Sequence, residues 1–98
     1  MREKLIRDRI PQMASIPHQR LRRAGDDGEF IRFLETKLGE ELEEFKTSRS
    51  LEELADILEV VETLCQALGS EILTLTQMQD TKRSRNGGFH ERYILRLD

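Results

Sequence analysis

The chain has 98 residues, of which 37% are hydrophobic and 36% charged, with no Trp, one Tyr and four Phe. Such a length gives one domain, near the lower end of what folds alone, and so few aromatic residues leave a thin core for a monomer. The net charge of −3 lacks the basic excess of a general nucleic-acid binder, and the single cysteine, Cys65, excludes an intrachain disulfide or a multi-thiolate zinc site.

Three expectations follow from these bounds. A homo-oligomer, dimer or tetramer, would share apolar faces and relieve the shortage of core. The cysteine usage suits a reducing cytoplasm. The opening "MREKLIRDRI" lacks the apolar run of a secretory signal, and no segment approaches the ~18 apolar residues that span a bilayer. No membrane and no nucleic acid are therefore expected as partners.

In chain order, residues 1–28 are the least regular part, punctuated by Pro11, Pro17, Gly25 and Gly28. A short amphipathic turn or helix is expected around Leu5, Ile6 and Ile10, and "PHQRLRRAGDDG" reads as an exposed basic loop. From Glu29 to about Lys46 the apolar period is helical: Phe30, Leu34, Leu38, Leu42 and Phe45 line one face, flanked by Ile31 and Phe33. Gly39 interrupts that helix at a cost of roughly 1 kcal/mol relative to Ala, and offers room for close approach of a neighbouring helix.

"TSRS" is a short connection. Ser50 followed by Glu53 is a capping-box pattern that starts a second helix near Leu51. That helix carries Leu54, Ile57, Leu58, Val61, Leu64, Cys65 and Leu68, and Gly69 is suited to end it. Ser70 is placed to cap a third helix with Ile72, Leu73, Leu75 and Met78, fading in "TKRSRNGG". The tail "FHERYILRLD" partly alternates, as a short strand or extended arm would. Cys65, Met13 and Met78 read as packing residues, and His18 and His90 are too isolated to serve as ligands or bases. The expected fold is all-α, an antiparallel bundle of about three main helices with a short extended C-terminal segment.

Acidic residues crowd both sides of the "TSRS" turn, and helical wheels at about 100° per residue sort them. Glu41 falls inside the apolar stripe of the first helix and Glu44 at its edge, whereas Glu43 faces away and Glu40 sits between. On the second helix Glu53 lands beside Val60 and Leu64, with Asp56 next round. Helices joined by so short a turn run antiparallel, so Glu44 faces Glu53 and Glu41 faces Asp56. Four carboxylates on partly apolar walls repel one another and lose hydration. A divalent cation resolves that conflict, and all-oxygen ligands without His or Cys suit Mg²⁺ or Mn²⁺. The alternative is a solvated acidic face or an ion-pair network closed by Arg and Lys, with Glu53 merely completing the Ser50 cap.

Beyond this pattern, "KLGEELEEF" followed by "EELADILEV" resembles the ExxE…ExxD signature of the MazG-like, all-α nucleoside triphosphate pyrophosphohydrolases. "KLIRDRIPQ" is similar to the "KLVRDKIP" opening of a compact, phosphoribosyl-ATP pyrophosphohydrolase-like subgroup, and "KRSRNGGFHERYIL" resembles its basic, Gly-Gly-Phe closing segment. The matches touch most of residues 1–98 except roughly 12–28, as a single domain. The resemblance implies Mg²⁺-dependent cleavage of a nucleoside triphosphate or related nucleotide between the α and β phosphates, giving a monophosphate and pyrophosphate. By position it makes Glu41, Glu44, Glu53 and Asp56 the metal ligands and lets Glu40, with Glu41, orient or activate the attacking water.

Lys37, one helical turn before Glu41, either reaches the phosphates or forms a surface pair with Glu41. Arg7, Arg9, Lys82, Arg83 and Arg85 are candidate phosphate contacts, although Arg7 has Asp8 and Glu3 as alternative partners. "NGG" reads as a turn in preference to an anion-binding nest. No base-reading motif appears, and house-cleaning of noncanonical nucleotides suits the chain as well as a biosynthetic substrate. A catalytically silent nucleotide-binding or regulatory module and a purely helical interaction protein are the competing functions.

Overall fold

The computed structural model describes residues 2–98. Its elements in chain order are α1 (Ile10–Met13), a 3-10 turn (His18–Arg20), α2 (Asp27–Ser48), α3 (Leu51–Ala67) and α4 (Ile72–Asn86). The protein is all-helical, with no strand among the described residues, and its three main helices pack in succession. None of the helices is long and apolar enough to cross a membrane.

α2 and α3 both start at a side-chain cap. Asp26 caps α2, its Oδ1 accepting from the Glu29 N–H at 2.8 Å, so the helix begins two residues before the apolar period does. "DDGE" carries this signal, an Asp followed three residues later by a Glu. At the other end α2 absorbs Thr47 and Ser48, leaving only Arg49 and Ser50 as the connection. Arg49 makes the reversal in the left-handed region, φ 49°, and its N–H donates to the Phe45 carbonyl. A non-glycine residue there costs about 1 kcal/mol.

Ser50 Oγ then accepts from the Glu53 N–H and starts α3 as expected. Gly69, at φ +82°, follows α3 in a conformation that suits glycine. Ser70 does not cap α4: the N-cap is Glu71, without a side-chain bond. The last helix continues through "TKRSRN" to Asn86 instead of fading. The tail after Gly88 stays exposed and forms no strand; it first turns at Phe89–Arg92, where the Arg92 N–H donates to the Phe89 carbonyl at 3.1 Å. Before α2 the only α-helical turn is Ile10–Met13; Pro11 suits its first turn, and the chain leaves it at Ser15, which is in the left-handed region at φ 53°.

The α2–α3 hairpin holds the small core. Leu34, Val60 and Cys65 are its buried hydrophobic residues, and Glu41 is buried among them at 6% exposure. α4 packs on α3 but not on α2, so the far side of the hairpin stays uncovered. Leu42, Leu54, Leu58 and Leu68 are consequently exposed, as are Met13 and Met78, which the sequence pattern placed in the core. Nor does a neighbouring helix come close to Gly39, beside which a Cβ would meet open space. The radius of gyration is 17.0 Å, against ~13 Å for a compact chain of this length.

Candidate metal centre

The hairpin places its acids as the register of the short turn requires. Glu41 of α2 meets Glu53 and Asp56 of α3, and one carboxylate oxygen from each lies within 4.8 Å of the others. Glu41 is buried, while Glu53 and Asp56 are half-buried. Glu44 stands outside this trio on the exposed side of α2, but its charge still bears on Glu53. Glu40 is at the margin, 3.6 Å from Lys37.

The electrostatics of this cluster are unbalanced. Burial first, then the Glu44 charge and the close approach of the Glu41 and Glu44 carboxyls, push the Glu53 carboxyl up to about 7. Two cations approach. Lys37 Nζ lies 3.5 Å from Glu41 Oε1, and the Arg7 guanidinium donates to Asp56 Oδ1. Glu41 Oε2 and Glu53 Oε2, both buried, have no hydrogen-bond partner. An unsatisfied buried oxygen of this kind costs about 1–3 kcal/mol, and more when charged, so two together in one pocket call for a cation or a shared proton.

The donor set is wholly carboxylate, which fits a hard divalent cation such as Mg²⁺ or Mn²⁺. Glu41, Glu53 and Asp56 are the residues that would hold it. Arg7 occupies only one oxygen of Asp56 and Lys37 one of Glu41, so the ion-pair network leaves part of the pocket unneutralised. Lys37 pairs along its own helix with both Glu41 and Glu40, which is the surface-pair reading, and stands beside the acidic trio. Arg7 chooses neither Asp8 nor Glu3 but Asp56, forty-nine residues away.

The remaining basic candidates are not brought to the cluster by any contact. Arg9 is exposed before α1. Arg83 pairs with Asp80 on its own helix, and Lys82 and Arg85 are exposed and make no ion pair among the described residues. Their helix contacts only α3.

A different arginine, missed by the sequence patterns, organises the N-terminal arm. Arg22 bridges two carboxylates, donating to Glu3 through Nε at 2.7 Å and Nη2 at 3.0 Å and to Glu29 through Nη1 at 2.9 Å and Nη2 at 3.0 Å. Its guanidinium also lies over the Phe33 ring, 5.7 Å from the centroid. Arg22 and the Gly25 N–H hold the Glu29 carboxyl down to about 2. No local signal marks such a contact, because Arg22 and Glu3 are nineteen residues apart.

This clamp ties the arm to α2 across a cleft of about 1410 Å³. Arg2, Lys4, Arg7, Arg20 and Arg23 give its lining a basic character, and Phe30 and Phe33 supply an apolar wall. Arg7 belongs both to this cleft and to the acidic trio, so the two are neighbours. No family model, curated protein or solved structure matches the chain.

Proposed function

We propose that the protein is a Mg²⁺-dependent nucleotide pyrophosphohydrolase, cleaving the α–β phosphoanhydride of a nucleoside triphosphate or related nucleotide to a monophosphate and pyrophosphate. The observation that carries this reading is the pair of buried oxygens, Glu41 Oε2 and Glu53 Oε2, left without partners beside Asp56. The motif resemblance in three ordered segments supports the choice of reaction.

In this reading Glu41, Glu53 and Asp56 hold the ion, with Glu44 as the outer member of the set. A bound ion supplies polarisation of a phosphoryl oxygen and neutralisation of the departing pyrophosphate. Lys37 and Arg7 bring positive charge to the phosphates from the two sides of the trio. Glu40, beside Lys37, is placed at the margin, where it can orient a water. The basic cleft with its phenylalanine wall suits an anion that also carries a flat apolar body, as a nucleotide does.

A screen of standard and noncanonical nucleoside triphosphates with Mg²⁺, reading pyrophosphate release, tests the proposal. Glu41→Gln and Asp56→Asn should each lower kcat/KM by at least about a hundredfold, the scale of losing a charge-stabilising group. Activity that survives both substitutions overturns it.

The Arg7–Asp56 pair favours one alternative, a regulatory module in which the N-terminal arm keeps the acids partly neutralised and nucleotide binds without turnover. Saturable, Mg²⁺-dependent nucleotide binding with no pyrophosphate in the same screen would select that reading.

A further inference from the structure

Of the acidic trio, Asp56 is the member paired with a residue from outside the hairpin, Arg7. Arg7 reaches it from an arm that little else holds down. Backbone hydrogen bonds from residues 7–16 stay within that segment, and α1 packs on no other helix. Leu5, Ile6 and Ile10 are only half-buried. Among the described residues, two polar side-chain contacts fix the arm: Glu3 on Arg22 near its start, and Arg7 on Asp56 further along.

The second of these contacts is the weaker and the worse placed. Its side chains are 55% and 36% exposed, and a pair so open to water favours the closed state by a factor of only about 1.5 to 5. Nor does it answer the need beside it. The guanidinium serves Asp56 Oδ1 and pairs with neither Glu41 nor Glu53, whose buried Oε2 atoms stay unpartnered. An ion held by all three acids satisfies those oxygens, and its charge then opposes a guanidinium on the same Asp56 carboxylate. Asp56 thus has two alternative partners, one of which serves the whole trio.

We propose that the Arg7–Asp56 pair is a clasp that opens when the trio takes up a divalent cation, so that the N-terminal arm loosens on metal binding. The inference rests on reading Glu41, Glu53 and Asp56 as a cation site. Glu3 keeps the start of the arm on Arg22, so opening frees the stretch around Arg7 without detaching the whole segment. Arg7 already lines the basic cleft beside the trio. Once off Asp56, its charge is available there to an anion.

Limited trypsinolysis of the full chain, read by mass spectrometry, tests this, because Lys4, Arg7 and Arg9 are cleavage points in the arm. Proteolysis follows the population of the open form, so cleavage after Arg7 and Arg9 should quicken roughly two- to sixfold in saturating Mg²⁺. Arg7→Ala should be cut after Arg9 at the fast rate with or without Mg²⁺, and should bind Mg²⁺ severalfold more tightly in isothermal titration. Glu41→Gln keeps the clasp but lacks an ion ligand, and its cleavage should not respond to Mg²⁺. If titration shows Mg²⁺ bound to the unmutated chain while cleavage of the arm is unchanged or slowed, the clasp is overturned and the cation site stands. If neither the unmutated chain nor Arg7→Ala binds Mg²⁺, both are overturned.

Discussion

Glu53 gives the most direct quantitative test of the pocket. Its carboxyl is pushed up to about 7 by burial and by the neighbouring Glu44 charge, yet a carboxylate must be ionised to ligate a cation. Binding of Mg²⁺ therefore displaces a proton wherever the pH lies below that value. With one proton released, the apparent Kd should rise about tenfold for each pH unit below 7, reaching about a hundredfold at pH 5 relative to pH 8. An ordinary surface glutamate would give only a small change over that range, because its pKa lies near 4.3.

Isothermal titration of the protein with Mg²⁺ at pH 5, 6, 7 and 8 measures the slope directly. Repeating it in buffers of different ionisation enthalpy counts the protons. Glu53→Gln should flatten the profile and weaken binding at every pH. An affinity that does not vary between pH 5 and pH 7 in the unmutated protein would refute the reasoning. Without metal the sign reverses for stability. A carboxyl raised in the folded state contributes fully below its unfolded value, near 4.5, and that contribution is lost as pH rises through about 7. The metal-free protein should therefore lose stability from this group over that window, and Mg²⁺ should recover most at the alkaline end.

Two further outcomes rest on other parts of the molecule. Gly39 lies inside α2 with open space where a Cβ would stand, so Gly39→Ala should raise the unfolding free energy by about 0.5–1 kcal/mol in urea titrations, without change in Mg²⁺ affinity. Glu29, held down to about 2 by Arg22, has the opposite linkage to Glu53. Its contribution is complete above about pH 4.5 and is lost as pH falls toward 2. Arg22→Ala should remove that part of the acid dependence of the melting temperature, and should free the N-terminal arm to proteolysis.

Much of the site was legible before folding was considered, because helix geometry is local. A residue's azimuth depends only on its position in the chain, and a two-residue turn fixes which positions lie level across a hairpin. Glu41, Glu53 and Asp56 could thus be brought together on paper, and Cys65 placed in the interior. Glu44, placed by the same rule at the edge of the stripe and opposite Glu53, is exposed, yet it lies close enough to Glu53 for its charge to raise that carboxyl. The Ser50 cap was readable as well, being a three-residue pattern, and the Asp26 cap carried the same signal.

What chain order left open are the contacts between distant segments. Arg7 reaching Asp56, and Arg22 joining Glu3 to Glu29 over the Phe33 ring, depend on how an irregular arm crosses α2, where no periodicity constrains the path. The exposure of Leu42, Leu54, Leu58 and Met78 is of the same kind. Hydrophobic spacing says that a face seeks cover, but only packing decides whether another element of the chain supplies it. Here α4 leans on α3 alone. The sequence by itself determined the three main helices, the Ser50 cap and the side on which the acids gather, because those follow from backbone hydrogen bonds and 3.6-residue periodicity. The tertiary structure decided which oxygens remain unpartnered and which leucines remain bare, because partnering and burial are properties of three-dimensional neighbours.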